Sequence, residues 1–315
     1  MAVNFDDALV VGISSRALFD LEEENELFKT QGIDAYRAYQ KERENEVLQP
    51  GTGFHLVEAL LNLNRLAPDD KRLVEVIVMS RNSPETAVRV LHSIESYGLD
   101  IPRMAFTGGE ALSDYIEAFQ VDLFLSKDEE DVQNITDSGV AAAALIYEPP
   151  QDFIPEKSTV RIAFDADAVI FSDESEHIYK TQGLEAFHKN EKDNKLTPLK
   201  EGPYARLLKT LSHIQHRMNT GVELSPLRLA IVTARSSPAH LRVIQTLREW
   251  NVYVDEAFFL GGMPKDQVLK AFKAHIFFDD QETHLTAARK VVPSGKVPYK
   301  KGSSMQQWEA MTKHK

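Results

Sequence analysis

Four short apolar runs in the second half of the chain, each closed by polar residues, set the expected architecture. Val160-Arg-Ile-Ala-Phe164 ends in Asp165-Ala-Asp167, and Leu229-Ala-Ile-Val232 ends in Thr233-Ala-Arg235-Ser236-Ser237. Ala257-Phe-Phe-Leu260 ends in Gly261-Gly-Met-Pro-Lys265, and His275-Ile-Phe-Phe278 ends in Asp279-Asp280. Short apolar runs bounded by turn residues predict buried strands, and the amphipathic stretches between them predict helices. Alternation of the two predicts a parallel sheet covered on both faces. Ligands of such sheets bind off the carboxyl ends of the strands, so the residues that close each run are the candidates for chemistry.

The pattern is written twice. Lys29-Thr-Gln-Gly-Ile-Asp-Ala-Tyr36 matches Lys180-Thr-Gln-Gly-Leu-Glu-Ala-Phe187, 151 residues on. Leu9 to Phe19 aligns with Val160 to Ile170 at that offset. Val76-Ile-Val-Met-Ser-Arg-Asn-Ser-Pro84 aligns with Ala230-Ile-Val-Thr-Ala-Arg-Ser-Ser-Pro238, Gly108-Gly109 with Gly261-Gly262, and Val121 to Lys127 with Ala274 to Asp280. Colinear blocks of this kind predict a duplicated α/β unit. The expected layout is a first repeat over 1–148, a proline-bearing linker over 149–158, a second repeat over 159–300 and a tail over 301–315. An insert over about 172–227 is expected to form a helical cap.

Composition narrows the chemistry. With no cysteine among 315 residues, disulfides, thiol nucleophiles and thiolate-bound zinc are excluded. The start Met1-Ala-Val-Asn-Phe-Asp-Asp7 lacks a basic and then apolar leader, and no run approaches a membrane span, so a cytoplasmic protein without a membrane partner is expected. A formal net charge of −12 argues against nucleic acid as a partner. A small anionic substrate then needs local positive charge from a cation, a base or helix N-termini.

The second-repeat strand tips supply that setting. Four carboxylates (Asp165, Asp167, Asp279, Asp280), the Thr233 hydroxyl, the Lys265 ammonium and the Arg235 guanidinium converge if the four strands are neighbours. Crowded carboxylates call for a hard cation, and Mg²⁺ suits one or two carboxylates, water and a phosphate. A carboxylate can attack phosphorus and divide one displacement into two. A second carboxylate two residues on can protonate the leaving oxygen and then activate water. Each motif alone has a bland reading, as a solvated turn, a helix cap or surface acids. The ordered set of four is what favours a site.

This order of strand-tip residues resembles the haloacid-dehalogenase (HAD) superfamily. The segments Phe164 to Glu176, Val232 to Ser236, Ile276 to Gln281, Ile13 to Glu24 and Met79 to Pro84 are similar to the cytosolic 5′-nucleotidase type I family, across nearly the whole chain. The resemblance implies two tandem Rossmann-like domains, the second catalytic. It implies Mg²⁺-dependent hydrolysis of nucleoside 5′-monophosphates, with Asp165 as nucleophile, Asp167 as acid/base, and Thr233 and Lys265 as the second and third motifs. The metal would sit on Asp165, the Asp167 carbonyl, and Asp279 or Asp280. Ala234, Arg235 and Ser236 are candidates for phosphate contact, with an ion pair to the cap as the alternative for Arg235. Phe187 and Tyr204 are candidates for base stacking, with cap packing as the favoured alternative. Sugar phosphates as substrates, or nucleotide binding with negligible turnover, are the rival functions.

The first repeat replaces these residues. Ser14 and Arg16 stand where Asp165 and Asp167 do, Met79 for Thr233, Leu112 for Lys265, and Ser126 and Lys127 for Asp279 and Asp280. That half is expected not to catalyse. Ser14, Arg16, Arg81 and Lys127 form a candidate second anion site for a nucleotide effector or a shared substrate, the alternative being bases already paired to Asp20 and Glu22–Glu24. A homo-oligomer is compatible with the sequence.

Overall fold

A computed structural model describes residues 5, 7–68, 71–218 and 225–312. Its strands are β1 (Leu9–Ile13), β2 (Val74–Ser80), β3 (Arg103–Phe106), β4 (Leu123–Ser126), β5 (Ala142–Ile146), β6 (Val160–Phe164), β7 (Leu227–Thr233), β8 (Glu256–Phe259), β9 (Ile276–Asp279) and β10 (Ser294–Lys296). The first-half helices are α1 (Ser15–Leu18), α2 (Glu22–Glu42), α3 (Phe54–Asn62), α4 (Val88–Ser96), α5 (Ser113–Ile116) and α6 (Glu129–Ser138). The second half carries α7 (Glu174–Gln182), α8 (Leu184–Asp193), α9 (Ala205–Arg217), α10 (His240–Glu249), α11 (Asp266–Phe272), α12 (Glu282–Ala288) and α13 (Ser304–Thr312). None of the described helices is long and apolar enough to cross a membrane.

The strands join in the order β3-β2-β1-β4-β5-β10-β9-β6-β7-β8, one ten-stranded sheet where two tandem sheets were expected. Pairing is parallel within each half, and β5 meets β10 antiparallel, with Ile146 opposite Gly295 and Leu145 opposite Lys296. Small residues permit this seam. A Cβ on Gly295 would lie 3.1 Å from both Ala144 Cβ and the Phe278 ring, and β5 opens with Ala142-Ala-Ala144. Such residues carry little periodic signal, so the seam was not visible in the apolar pattern.

Outward from the seam the halves run β5-β4-β1-β2-β3 and β10-β9-β6-β7-β8, the same order. Their turns match too. Gly32 and Gly183, at φ 83° and 86° respectively, each break a helical segment at the corresponding place. Phe19 bridges Pro50 and Phe171 bridges Glu201, with Gly51 N donating to Leu18 O and Gly202 N to Ile170 O, both at 2.9 Å.

Alternation along the strands divides the core. Leu9, Val11 and Ile13 of β1 and Val160, Ile162 and Phe164 of β6 face one apolar cluster that runs through both halves. Val10 and Ala163 face two separate clusters on the opposite side. Within the expected cap range, α9 belongs to the shared layer, because Leu207, Leu208, Leu211 and Ile214 are buried in the common core. In the same range, α7 and α8 lie outside this cluster. The expected tail forms α13, which docks through buried Met305, whose N–H donates to Asp173 at 2.8 Å.

Gly202 tests this framework. An added Cβ would meet the Phe171 carbonyl oxygen and lie 2.6 Å from Val169 O, both backbone atoms that cannot rotate away. Gly202→Ala is expected to destabilise the fold by about 2–3 kcal/mol, read by urea unfolding. An unchanged midpoint would contradict the contact.

Candidate active site

Register brings the second-half tips together. Phe164 pairs with Phe278 on one side and Ile231 on the other, so Asp165 emerges beside Asp279 while β7 runs on to Thr233. Asp165 N–H donates to Phe278 O at 2.8 Å, extending the ladder by one bond. The chain then leaves the strand. Asp167 is extended (ψ 141°), Ala168 adopts φ 58°, and Phe171 N–H closes the turn on Ala166 O at 2.9 Å. Left-handed alanine costs about 1 kcal/mol, a local strain the surrounding bonds hold in place.

Lys265 lies between two carboxylates. Its Nζ is 2.9 Å from Asp165 Oδ1 and 2.7 Å from Asp279 Oδ2. All three side chains are buried. Asp279 also accepts from Gln281 N–H at 2.8 Å and meets His284 Nδ1 at 3.1 Å. Burial raises the Asp165 carboxyl to about 6, helped by Asp279 and Asp167 and opposed by Lys265. Burial works the same way on Asp279, but Lys265 and His284 outweigh it and hold that carboxyl below its ordinary range. For Lys265 burial disfavours the charge, and the two carboxylates more than restore it.

Asp280 and Glu176 are left short of donors. Asp280 Oδ2 accepts from Tyr299 O–H at 2.5 Å, while among the described residues buried Oδ1 has no hydrogen-bond partner, nor does either oxygen of buried Glu176. Burial, with the charges of Asp167 and Asp165, pushes Glu176 up to about 8, and Asp280 is driven well above its ordinary value by burial and by Glu176. Buried carboxylates in this state call for a counter-charge. The donor set is oxygen-rich, with atoms of Asp165, Asp279 and His284 within 4.8 Å of one another. Asp165 Oδ1 and Asp279 Oδ2 already hold Lys265, however, and His284 is turned to Asp279, so the open Asp280 Oδ1 is the better free ligand position. A hard divalent cation fits these residues.

Arg235 is committed elsewhere. Its Nε and Nη2 form a fork on Asp167 at 2.8 and 2.6 Å, and Nη1 reaches Glu191 of α8 at 2.6 Å. Glu191 also accepts from Arg242 at 3.0 Å and Ser175 at 3.0 Å. The Phe187 ring lies 5.4 Å from the Arg235 guanidinium and meets Tyr179 edge-on. Of the two readings offered for Arg235, the ion pair to the insert is the arrangement seen. Thr233 Oγ1 accepts from Arg235 N–H at 3.2 Å, Ala234 is exposed, and Ser236 lies against Gly261. Tyr204 is fully buried, packs on Phe164 and Phe278, and donates to Ala143 O at 3.0 Å. That places it in the core, away from any stacking position.

Comparison with known proteins decides the family. The family model described as 5′-nucleotidase matches residues 1–304. The chain belongs to the 5′-nucleotidase family. Human cytosolic 5′-nucleotidase 1B is 36% identical over 292 residues, which cover 90% of this chain and 48% of that protein. The chain therefore spans about half the length of this curated relative. Among solved structures, a mutant of the Thermobaculum terrenum O-GlcNAc transferase aligns over 98% of this chain and 57% of its own at 12% identity, with a TM-score of 0.23, too low to bear on the fold.

Within this family member, several site residues carried no sequence expectation. Glu176, Glu191, His284 and Tyr299 belong to no strand-tip motif. Glu191 reaches Arg235 from 44 residues away and Tyr299 reaches Asp280 from 19, while His284 follows Asp279 by only 5, where nothing in the sequence marks a lone histidine as a partner. In the first half the strand-tip bases are all paired. Arg16 bonds Glu22 at 3.0 Å, Lys127 meets Glu22 at 2.6 Å and also Glu148, and Arg81 meets Asp131 at 2.5 Å and Glu130 at 3.4 Å. Ser14 Oγ lies 3.2 Å from Ser126 Oγ, where the second half has Asp165 and Asp279.

Proposed function

We propose that this chain is a Mg²⁺-dependent phosphomonoesterase that hydrolyses nucleoside 5′-monophosphates to nucleoside and phosphate through an aspartyl-phosphate on Asp165. The observation that carries the reading is Asp165 itself, buried at a parallel-strand tip with Lys265 on one oxygen and Asp167 two residues on. Family membership supports the substrate class. Asp165, the Asp167 carbonyl and Asp280 would hold the cation, which when bound offsets charge between carboxylate and phosphoryl oxygens. Asp279, with its oxygens already taken by Lys265, Gln281 and His284, serves to fix the ammonium.

The protein groups then divide the work. An Asp165 oxygen bonds to phosphorus as the ester P–O bond breaks, and the departing nucleoside oxygen takes a proton from Asp167. Water next attacks phosphorus and gives a proton back to Asp167 as the Asp165–phosphorus bond breaks. Lys265 and Thr233 steady the phosphoryl oxygens. The Arg235 fork occupies both Asp167 oxygens and fixes the side chain, so one of these bonds opens when Asp167 carries the proton. The matched strand order and turns support descent of both halves from one unit, with only the second retaining this chemistry.

A panel of nucleoside and sugar monophosphates separates the readings. Phosphate release is expected from nucleoside 5′-monophosphates, lost with EDTA and restored by Mg²⁺. Faster turnover of sugar phosphates would favour that substrate class, and no turnover on any monophosphate would favour a nucleotide-binding regulator.

A further inference from the structure

The first half, which lacks the catalytic residues, contains a cavity of about 580 Å³ at its strand tips, within the range of small-molecule sites. It lies where the second half has its carboxylates, and its lining combines a hydroxyl-rich floor with an apolar wall. Ser14, Ser80 and Ser126 line the floor, and Phe28, Ile33 and Tyr36 the wall. Phe28 and Tyr36 meet edge-on at 5.8 Å and 79°, as Tyr179 and Phe187 do at 6.2 Å and 75°, exactly 151 residues further on. Exposure matches as well, 48% for Phe28 against 47% for Tyr179, with both partner rings at 8%. The half without the acids has thus kept the aromatic pair of the insert.

The bases lining this cavity already face acidic partners. Arg16 and Arg81 hold the acidic partners already described, Arg37 lies 3.8 Å from Asp34, and Glu24 is bonded to Arg89 at 2.5 Å. A phosphate dianion would have to displace such pairs and face the carboxylates of Asp128 and Asp131, which also line the cavity. A neutral ligand with an aromatic face and hydroxyls meets no such cost. This changes the expectation of an anion site drawn from the strand-tip bases.

We propose that the first-half cavity binds a nucleoside, its base against Phe28 and Tyr36 and its ribose hydroxyls toward Asn25, Asn82 and Ser83. The assignment of a nucleoside rests on the reading of the second half as a nucleotide site, whose insert carries the same aromatic pair. The proposal differs from that reading in needing no phosphate and no metal.

The test is photolabelling of the full chain with 2-azidoadenosine in EDTA, followed by peptide mapping, with hydrolysis of AMP measured in parallel with Mg²⁺. Saturable label is expected in the peptide spanning 22–42, displaced by adenosine and not by inorganic phosphate. AMP is expected to displace it within about tenfold of adenosine, that is within about 1.4 kcal/mol, so that the phosphate adds little. Phe28→Ala, at a half-exposed ring, is expected to weaken labelling about tenfold, as for loss of one base–aromatic stack, with AMP hydrolysis unchanged. Label confined to the second half, displacement by phosphate alone, a larger AMP preference, or no effect of Phe28→Ala would each overturn the inference. Hydrolysis without first-half label defeats this inference alone. Label without hydrolysis of any monophosphate defeats the functional reading instead.

Discussion

Asp165→Asn is expected to lower kcat on a nucleoside monophosphate by at least about 10⁴-fold, as removal of a covalent nucleophile does. An amide cannot form the aspartyl-phosphate, yet it keeps the shape of the side chain and its ladder bond to Phe278. Folding should survive, because Asp165 sits among Asp167, Asp279 and Asp280, whose repulsion its neutralisation relieves. Loss of one partner for Lys265 works against this, but Asp279 remains at 2.7 Å. The decisive measurement is single-turnover phosphate release alongside AMP binding. Binding retained with turnover abolished is the expected result. Turnover within tenfold of wild type would remove Asp165 from the role of nucleophile.

Arg235→Ala is expected to destabilise the protein by about 3–5 kcal/mol, the usual consequence of leaving buried acids without their base. Asp167 loses both bonds of its fork, and Glu191, fully buried, keeps only Arg242 and the neutral donors Ser175 and Asn190. Arg235→Lys keeps the charge but not the planar fork, so it should fold while lowering kcat more than it raises KM. Urea unfolding and steady-state kinetics of both variants separate the two roles. A direct phosphate ligand would instead show a large rise in KM with little change in stability, and that pattern would return Arg235 to the substrate.

The strand tips were legible in the sequence because a buried parallel strand is a continuous apolar run and its end is abrupt. Phe164 to Asp165 and Phe278 to Asp279 are such ends, and β6 and β9 lie where those runs do. The seam between β5 and β10 is not legible in the sequence, since only Ile146 and Leu145 pair across it with Gly295 and Lys296, and the three-residue β10 has no apolar run of its own. Tyr204 and Arg235 show the same limit for side chains. An aromatic or a base near a motif carries no mark of what it faces, and packing gave Tyr204 to the core and Arg235 to Asp167 and Glu191. Glu176 bears no mark in the sequence, because its lack of donors among the described residues exists only in three dimensions.

The seam has a thermodynamic consequence. Main-chain pairing of Ile146 with Gly295, the Tyr204 bond to the Ala143 carbonyl and the common apolar layer all cross between the halves. Loss of either half would strip the other of a strand partner and expose shared core, so unfolding of the two halves is expected to be coupled. A copy severed at the linker would present β5 as a bare edge, a template for pairing with another chain. The first half is therefore expected to be needed for the second to hold its fold.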